Sequence, residues 1–181
     1  MPRMSAEPID VSPWVAETER LVLRRLDGDD AAFMLGLLND AAFLEFIGDR
    51  GVRTLDEARA YIVNGPMASY RQHGFGFWCV VLRATGEAIG ISGLARRDAL
   101  GDVDVGFAFL PEYRAQGYAL ESTQAVMKLA REAYGLRRIV AITAPTNTAS
   151  ALLLEKIGLR FERMVRMAGD KDEIRLFAWN A

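Results

Sequence analysis

The sequence predicts a single domain of the mixed α/β (α+β) class, and three observations support this. A chain of 181 residues with 51% apolar and 25% charged side chains has the size and composition of one globular domain. Residues 103–110 alternate between large apolar and smaller or polar side chains, which is typical of a strand. Residues 119–134 carry apolar side chains at helical spacing.

The composition also excludes several function classes. Twenty-four acidic and 22 basic residues give a net charge of −2, which provides neither a basic surface for nucleic acid nor a polybasic patch for a membrane. The single cysteine, Cys79, has no partner for an intrachain disulfide, and the single histidine, His73, leaves a His/Cys metal site without further ligands. No apolar run approaches the roughly 20 residues of a membrane span. We therefore expect a cytoplasmic protein without a bound metal.

The first elements follow from proline positions and apolar spacing. Residues 1–17 contain Pro2, Pro8 and Pro13, so we expect a loose arm followed by one domain over residues 18–181. Alternating leucines predict a strand over residues 20–24. The helical spacing of Phe33, Leu37 and Ala41 predicts a first helix, in a segment that Gly48 and Gly51 close.

A capping box predicts the start of the second helix. The box is Thr54–Leu55–Asp56–Glu57, in which the threonine and glutamate side chains can each accept a hydrogen bond from the free backbone N–H of the other residue. The helix should end near Gly65–Pro66 or Tyr70. Residues 77–82 and 88–94 then predict a hairpin whose turn is Thr85–Gly86–Glu87.

The remaining elements alternate helix and strand. After the helix over residues 119–134, which Gly135 ends, residues 139–144 predict a buried strand. A short helix follows Pro145 and closes at Gly158, and residues 159–162 and 173–179 predict the last two strands.

The loop before the long helix is a candidate anion site. Arg114–Ala115–Gln116–Gly117–Tyr118–Ala119 follows a strand directly and opens a helix, so unpaired backbone N–H groups and the positive end of the helix dipole meet there. The loop lacks the glycine and lysine pattern of nucleotide-binding loops. An ordinary helix start with a turn glycine remains the alternative.

Three separated blocks resemble the GNAT N-acetyltransferase superfamily, in particular its RimJ/RimL-type branch. Arg114, Gly117 and Ala119 match the Arg/Gln-x-x-Gly-x-Gly/Ala pattern that binds the pyrophosphate of acetyl-CoA. Residues 18–24 resemble the opening strand of that branch, and residues 147–150 with 155–159 resemble its late helix.

The resemblance implies a fold and a coenzyme site. It implies a mixed, mostly antiparallel sheet with helices on both faces, whose fourth and fifth strands, at residues 103–110 and 138–144, splay apart to admit the pantetheine arm. It implies main-chain contacts around residues 109–111 and an oxyanion donor among the amides of residues 107–109. The implied acetyl-CoA-binding residues are Phe109, Leu110, Pro111, Arg114, Ala115, Gln116, Gly117, Tyr118, Ala119 and Asn147.

Two residues are candidate catalytic groups. The positions that carry a glutamate and a tyrosine in the peptide-acetylating branch are Ile142 and Leu154 here, so both groups are missing. Asp104 lies where histone-acetylating relatives have a base carboxylate, and it could act through water; the alternative is an aspartate that faces solvent or pairs with an arginine. Ser150 matches a serine that could protonate the leaving thiolate; capping of the late helix is its alternative.

The missing base favours a particular acceptor. An α-amine with a pKa near 7.8 is neutral in roughly one molecule in seven at neutral pH, whereas a lysine amine is neutral in about one in 2,500. We therefore expect a peptide, protein or amino-acid α-amine as acceptor. Antibiotic or polyamine acetylation and a non-catalytic acetyl-CoA-binding module are the alternatives, and both a monomer and a homodimer are compatible with the sequence.

Overall fold

The computed structural model describes residues 13–181, which form eight strands and six α-helices. The strands are β1 (Trp14–Glu17), β2 (Leu21–Arg24), β3 (Phe77–Leu82), β4 (Ala88–Arg97), β5 (Asp102–Phe109), β6 (Arg138–Thr143), β7 (Arg160–Val165) and β8 (Ile174–Asn180). The helices are α1 (Ala31–Leu38), α2 (Ala41–Phe46), α3 (Leu55–Ile62), α4 (Ala68–His73), α5 (Tyr118–Glu132) and α6 (Thr148–Lys156).

All eight strands belong to one sheet in the order β1-β2-β3-β4-β5-β6-β8-β7. Every neighbouring pair is antiparallel except β5 and β6, which run parallel. β4 and β5 pair from Gly90–Phe109 to Arg97–Asp102, whereas β5 and β6 share the single ladder pair Asp104–Val140. The expected splay between residues 103–110 and 138–144 is thereby confirmed.

Helices cover both faces of the sheet, as expected. One core lies beneath α5 and α6 and includes Val105, Val126 and Leu154. The other lies beneath α1 and α3 and includes Leu37 and Cys79, so the thiol is buried. Among residues 13–181 no helix combines the length and apolar character needed to cross a membrane.

The N-terminal segment is more ordered than the prolines predict. Instead of starting near residue 18, the sheet begins with β1, whose residues pair antiparallel with β2, and Arg25 N donates to Pro13 O at 2.6 Å. Backbone pairing with a neighbouring strand leaves no side-chain pattern in so short a segment, so the expected arm was too long at its C-terminal end. The remainder of that predicted arm, residues 1–12, lies outside the described residues.

The first predicted helix is two helices. Asn39 Nδ2 donates to Leu35 O and Val52 O, both at 2.8 Å, and these bonds replace the continuation of α1. Asp40 has extended backbone angles and accepts from Phe43 N at 3.1 Å, so it caps a new helix.

The second predicted helix extends past its proline. Pro66 has no N–H to donate, and residues Val63–Met67 accordingly form a π-helical turn between α3 and α4. The chain then continues to Gly74, whose φ of 78° ends α4. His73 is the last residue of α4, and its ring stacks on Phe75 with centroids 5.6 Å apart.

The strand predicted to end at Leu94 continues to Arg97 and contains two glycines. A Cβ on Gly93 would lie 2.1 Å from Gly76 O, so the close approach of β3 requires glycine there. The longer strand brings Arg97 beside β5.

Candidate active site

The edge of β5 that faces β6 presents backbone groups to the open part of the sheet. Leu110 N donates to Ile89 O at 3.0 Å, which directs the backbone of Leu110 toward β4. Because N–H and C=O groups alternate in direction along a strand, those of Phe107 and Phe109 point toward β6. β6 shares a ladder pair with β5 only at Asp104, so the Phe107 amide faces the cleft between the parted strands. We call this space the β5–β6 cleft.

The loop that joins β5 to α5 has the geometry of an anion cradle. Ala115 and Gly117 have φ angles of 59° and 84°, and Gly117 is the N-cap of α5. The helix makes its first backbone bond from Glu121 N to Gly117 O at 3.0 Å. The amides of Gly117, Tyr118 and Ala119 precede that bond and have no acceptor within the helix, so they are available to an anion.

Arg20 and Glu121 fix this loop against the start of β2. The Arg20 guanidinium donates to Glu121 Oε2 at 2.7 Å and to Gln116 O at 2.9 Å, and it lies 4.3 Å from the centroid of the Tyr118 ring. Thr18 Oγ1 and Arg20 N both donate to Glu121 Oε1, at 2.8 and 2.9 Å. Burial raises the pKa of Glu121, but these donors outweigh it and the net shift is downward.

The Arg20 contact was not predicted from the sequence. Its partners Gln116 and Glu121 are 96 and 101 residues away, so no local pattern connects them. The only signal was the block over residues 18–24 that resembles the family's opening strand. Glu121 lies in the first turn of α5, where its charge favours the helix dipole, and it also accepts three hydrogen bonds.

The Arg114 side chain bonds the backbone at the C-terminal end of β5. Its guanidinium donates to Phe109 O at 3.0 and 2.8 Å and pairs with the Asp40 carboxylate. Burial raises the pKa of Asp40, while Arg114 and two backbone amides lower it, and the net pKa is below the usual value. The Phe109 carbonyl, which the resemblance offers to the pantetheine amides, is thus already bonded, and Leu110 and Pro111 follow it at the entry to the loop.

Asp104 is buried at the point where β5 and β6 still pair. It is 2% exposed, and its Oδ2 forms an ion pair with Arg97 Nε. Alternation along β5 puts it on the same face as Gly106 and Ala108, as expected. Burial raises the pKa of the Asp104 carboxyl, and Arg97 opposes this only in part. The arginine pairing weighed as an alternative from the sequence is therefore present.

Asn147 and Ser150 have different roles at the start of α6. Asn147 Oδ1 accepts from Ser150 N at 3.2 Å, so the asparagine side chain caps the helix. The Ser150 hydroxyl takes no part in that cap. The alternative explanation from the sequence therefore applies to Asn147 and not to Ser150.

The two positions without catalytic groups are apolar and lie on opposite faces of the sheet. Leu154, on the buried side of α6, is 1% exposed and packs in the core that α6 shares with α5, whereas Ile142 packs with Val140 and Leu176 on the other face. No ionisable side chain replaces either group at these two positions.

Sequence comparison assigns the chain to a family. A family model of the acetyltransferase (GNAT) domain matches residues 20–160, which is most of the chain. The chain belongs to the GNAT acetyltransferase family. The uncharacterised N-acetyltransferases YoaA and YnaD of Bacillus subtilis are 28% identical over 153 residues and 27% identical over 145 residues. The matches cover 84% and 80% of this chain and 86% and 82% of the relatives.

Solved GNAT structures share the fold. An acetyltransferase from Agrobacterium tumefaciens superposes with a TM-score of 0.78 at 24% identity, covering 93% of this chain and 95% of that one. RimL, a ribosomal alpha-N-protein acetyltransferase in complex with coenzyme A, superposes with a TM-score of 0.77 at 17% identity, covering 92% and 97%.

As a GNAT member the chain is an acetyl-CoA-dependent N-acetyltransferase. The described residues fit this coenzyme at two points. The φ of 84° at Gly117 lies in the left-handed region that favours glycine, and a glycine leaves the neighbouring amides of the cradle uncovered by a side chain. The β5–β6 cleft supplies main-chain groups at the level where an extended arm can pair with them.

Proposed function

We propose that this GNAT enzyme acetylates α-amines, either at the N-terminus of a peptide or protein or on a free amino acid. The observation that carries the proposal is the state of Asp104, which lies on β5 where β5 and β6 still pair. Asp104 is buried and paired with Arg97, and Ile142 and Leu154 are apolar. The site therefore has little capacity to deprotonate a strongly basic amine.

The acceptor must supply part of its own reactivity in such a site. Only a neutral amine attacks a thioester, and an α-amine is neutral in roughly one molecule in seven at neutral pH. A lysine or polyamine amine is neutral in about one molecule in 2,500, so its acetylation needs a far stronger base. The similarity in fold to RimL, an alpha-N-protein acetyltransferase, agrees with this choice.

The main-chain groups would have the larger roles in the reaction. When bound, acetyl-CoA supplies an activated acetyl group. We assign the diphosphate to the amides of Gly117, Tyr118 and Ala119, with Ala115 and Gln116 shaping the loop and Asn147 bordering the coenzyme at α6. The Phe107 N–H, which points into the cleft, would stabilise the oxyanion in the transition state.

Two side chains would move protons. Asp104, whose pKa burial raises, would accept a proton from the acceptor amine through water, and its pairing with Arg97 limits how much this contributes. The Ser150 hydroxyl, which is outside the cap of α6, would donate a proton to the departing thiolate. A thiol with a pKa near 8.5 leaves readily, so this contribution is modest.

Release of free thiol from acetyl-CoA tests the proposal directly. The acceptors would be a peptide with a free N-terminus and no lysine, the same peptide N-blocked with one lysine, free amino acids, a polyamine and an aminoglycoside. We expect the highest kcat/KM with α-amines near neutral pH, with the acetyl group located on the α-nitrogen by mass spectrometry. A preference for the blocked lysine peptide, or for the polyamine or aminoglycoside, would contradict the proposal.

An Asp104 variant sharpens this test. Asp104→Asn should reduce turnover of a lysine-like acceptor at least about tenfold but affect an α-amine much less, because only the former depends on a base. Glu173→Gln, which removes a charge from an exposed position, is the control. Equal losses with both acceptors would contradict the relay.

A further inference from the structure

The last residue of β6 carries a buried hydroxyl without a partner. Thr143 is 6% exposed, and its Oγ1 makes no hydrogen bond to any residue in the described range 13–181. Nearly all buried polar side-chain atoms in proteins have a hydrogen-bond partner, because an unpaired one costs about 1–3 kcal/mol. An orphan hydroxyl at this position therefore calls for a functional explanation.

The register of the sheet places Thr143 in the β5–β6 cleft. Asp104 and Val140 form the one ladder pair between the parallel strands. Three residues further along each strand, Thr143 stands level with Phe107, where the strands no longer pair. The hydroxyl therefore lies at the level of the amide that we assign to the oxyanion.

The Thr143 side chain belongs to the face of the sheet on which the cradle lies. Ile139 and Ala141 pack in the core beneath α5 and α6, and Thr143 shares their face by alternation. The cradle at the N-terminus of α5 lies on this same side. An arm that runs from the cradle to the Phe107 amide therefore approaches Thr143 from the face to which its side chain belongs.

We propose that Thr143 Oγ1 forms a hydrogen bond with a carbonyl of the acyl-pantetheine arm of acetyl-CoA, either an amide or the thioester carbonyl. This inference rests on the coenzyme site proposed above. The hydroxyl stays unpaired in the free protein and gains its partner when the coenzyme binds. Because folding has already removed the hydroxyl from water, the new hydrogen bond contributes to the affinity for the coenzyme.

Thr143→Val and Thr143→Ser separate this role from a structural one. Valine keeps the shape of threonine without the hydroxyl, and serine keeps the hydroxyl. We expect Thr143→Val to weaken acetyl-CoA binding about threefold to tenfold by calorimetry, and Thr143→Ser to restore most of it. The melting temperature of the coenzyme-free Thr143→Val protein should stay the same or rise, because no native bond is lost.

Thr123→Val is the matched control for stability. Thr123 is fully buried, and its Oγ1 donates to Ala119 O at 2.6 Å. Loss of that bond should lower the melting temperature of the coenzyme-free protein by about 2–4 °C. A similar drop in Thr143→Val would mean that its hydroxyl has a partner in the folded chain, and it would overturn the inference.

The ligand series distinguishes the remaining outcomes. An equal loss of affinity for acetyl-CoA and free coenzyme A supports a bond to an amide of the arm, and a larger loss for acetyl-CoA supports a bond to the thioester carbonyl. Unchanged affinity for both in Thr143→Val overturns the inference alone. Failure of the wild-type protein to bind either ligand overturns the proposed coenzyme site together with it.

Discussion

Replacement of Gly117 by alanine tests the cradle with a change of one methyl group. The φ of 84° at Gly117 lies in the left-handed region, which costs a residue with a Cβ about 1–2 kcal/mol. The new methyl would lie 3.2 Å from Arg20 Nη2, but that atom ends a flexible side chain and can move aside. For a chain of this size the strain corresponds to a loss of about 2–8 °C in melting temperature.

The effect on the coenzyme should be larger than the effect on stability. Relaxation of the strained turn rotates the amides of residues 117–119, and each hydrogen bond to a charged group is worth about 1.5–3 kcal/mol. Loss of one such bond should raise KM for acetyl-CoA about tenfold to a hundredfold. Gly117→Glu adds bulk and a negative charge in the same place and should raise KM further.

Gly86→Ala is the control for backbone strain. Gly86 has a similar φ of 77°, and a Cβ there would have nothing within 4 Å. We expect both alanine variants to lose comparable stability, measured by thermal unfolding without ligand, and only Gly117→Ala to lose coenzyme affinity, measured as KM in the thiol-release assay. An unchanged KM in Gly117→Ala, or an equal rise in Gly86→Ala, would refute the assignment of the cradle.

Three further predictions follow from the contacts around the site. Arg20→Ala should raise KM for acetyl-CoA about threefold or more but lower the free energy of unfolding by less than about 1 kcal/mol, because the pair with Glu121 is partly exposed. The KM of Arg20→Lys should lie between those of Arg20→Ala and the wild type, and an unaltered KM in Arg20→Ala would remove Arg20 from the site. Ser150→Ala should lower kcat by up to about tenfold with the melting temperature unchanged, since Asn147 caps α6, and a melting temperature that falls instead would assign Ser150 to the cap. The pKa of Glu121 is lower in the folded protein than its usual 4.5, so its stabilising contribution is complete above about pH 4.5 and is lost as the pH falls through the folded pKa; melting temperatures measured down this range should fall less in Glu121→Gln, and an identical slope would contradict the assignment.

Local sequence patterns predicted the helices and strands in which the spacing of apolar side chains follows the burial of the element. β5 and α5 were predicted close to their observed bounds because large apolar side chains recur along one face of each, which gives the sequence a period. β1 and the break between α1 and α2 were missed for the opposite reason. β1 exists because its backbone pairs with β2, and the break depends on Asn39 reaching Val52.

The same distinction applies to the candidate site. The cradle is encoded in six consecutive residues, so both a physical argument and a family resemblance could find it. The pairing of Asp104 with Arg97 became visible only with the full length of β4, and the contacts of Arg20 join segments about 100 residues apart. Thr143 has no sequence signal, because its unpaired state depends on the parting of two strands.

The single ladder pair between β5 and β6 divides the sheet into two panels, β1–β5 and β6–β8, which are joined across the gap by that pair, by the Arg138–Asp102 ion pair and by packing in the core beneath α5 and α6. An extended ligand that forms hydrogen bonds with the backbone of both panels would supply the missing ladder pairs and act as a temporary ninth strand. Unfolding of one panel would then require release of that ligand, so the concentration of coenzyme should set how cooperatively the two panels melt.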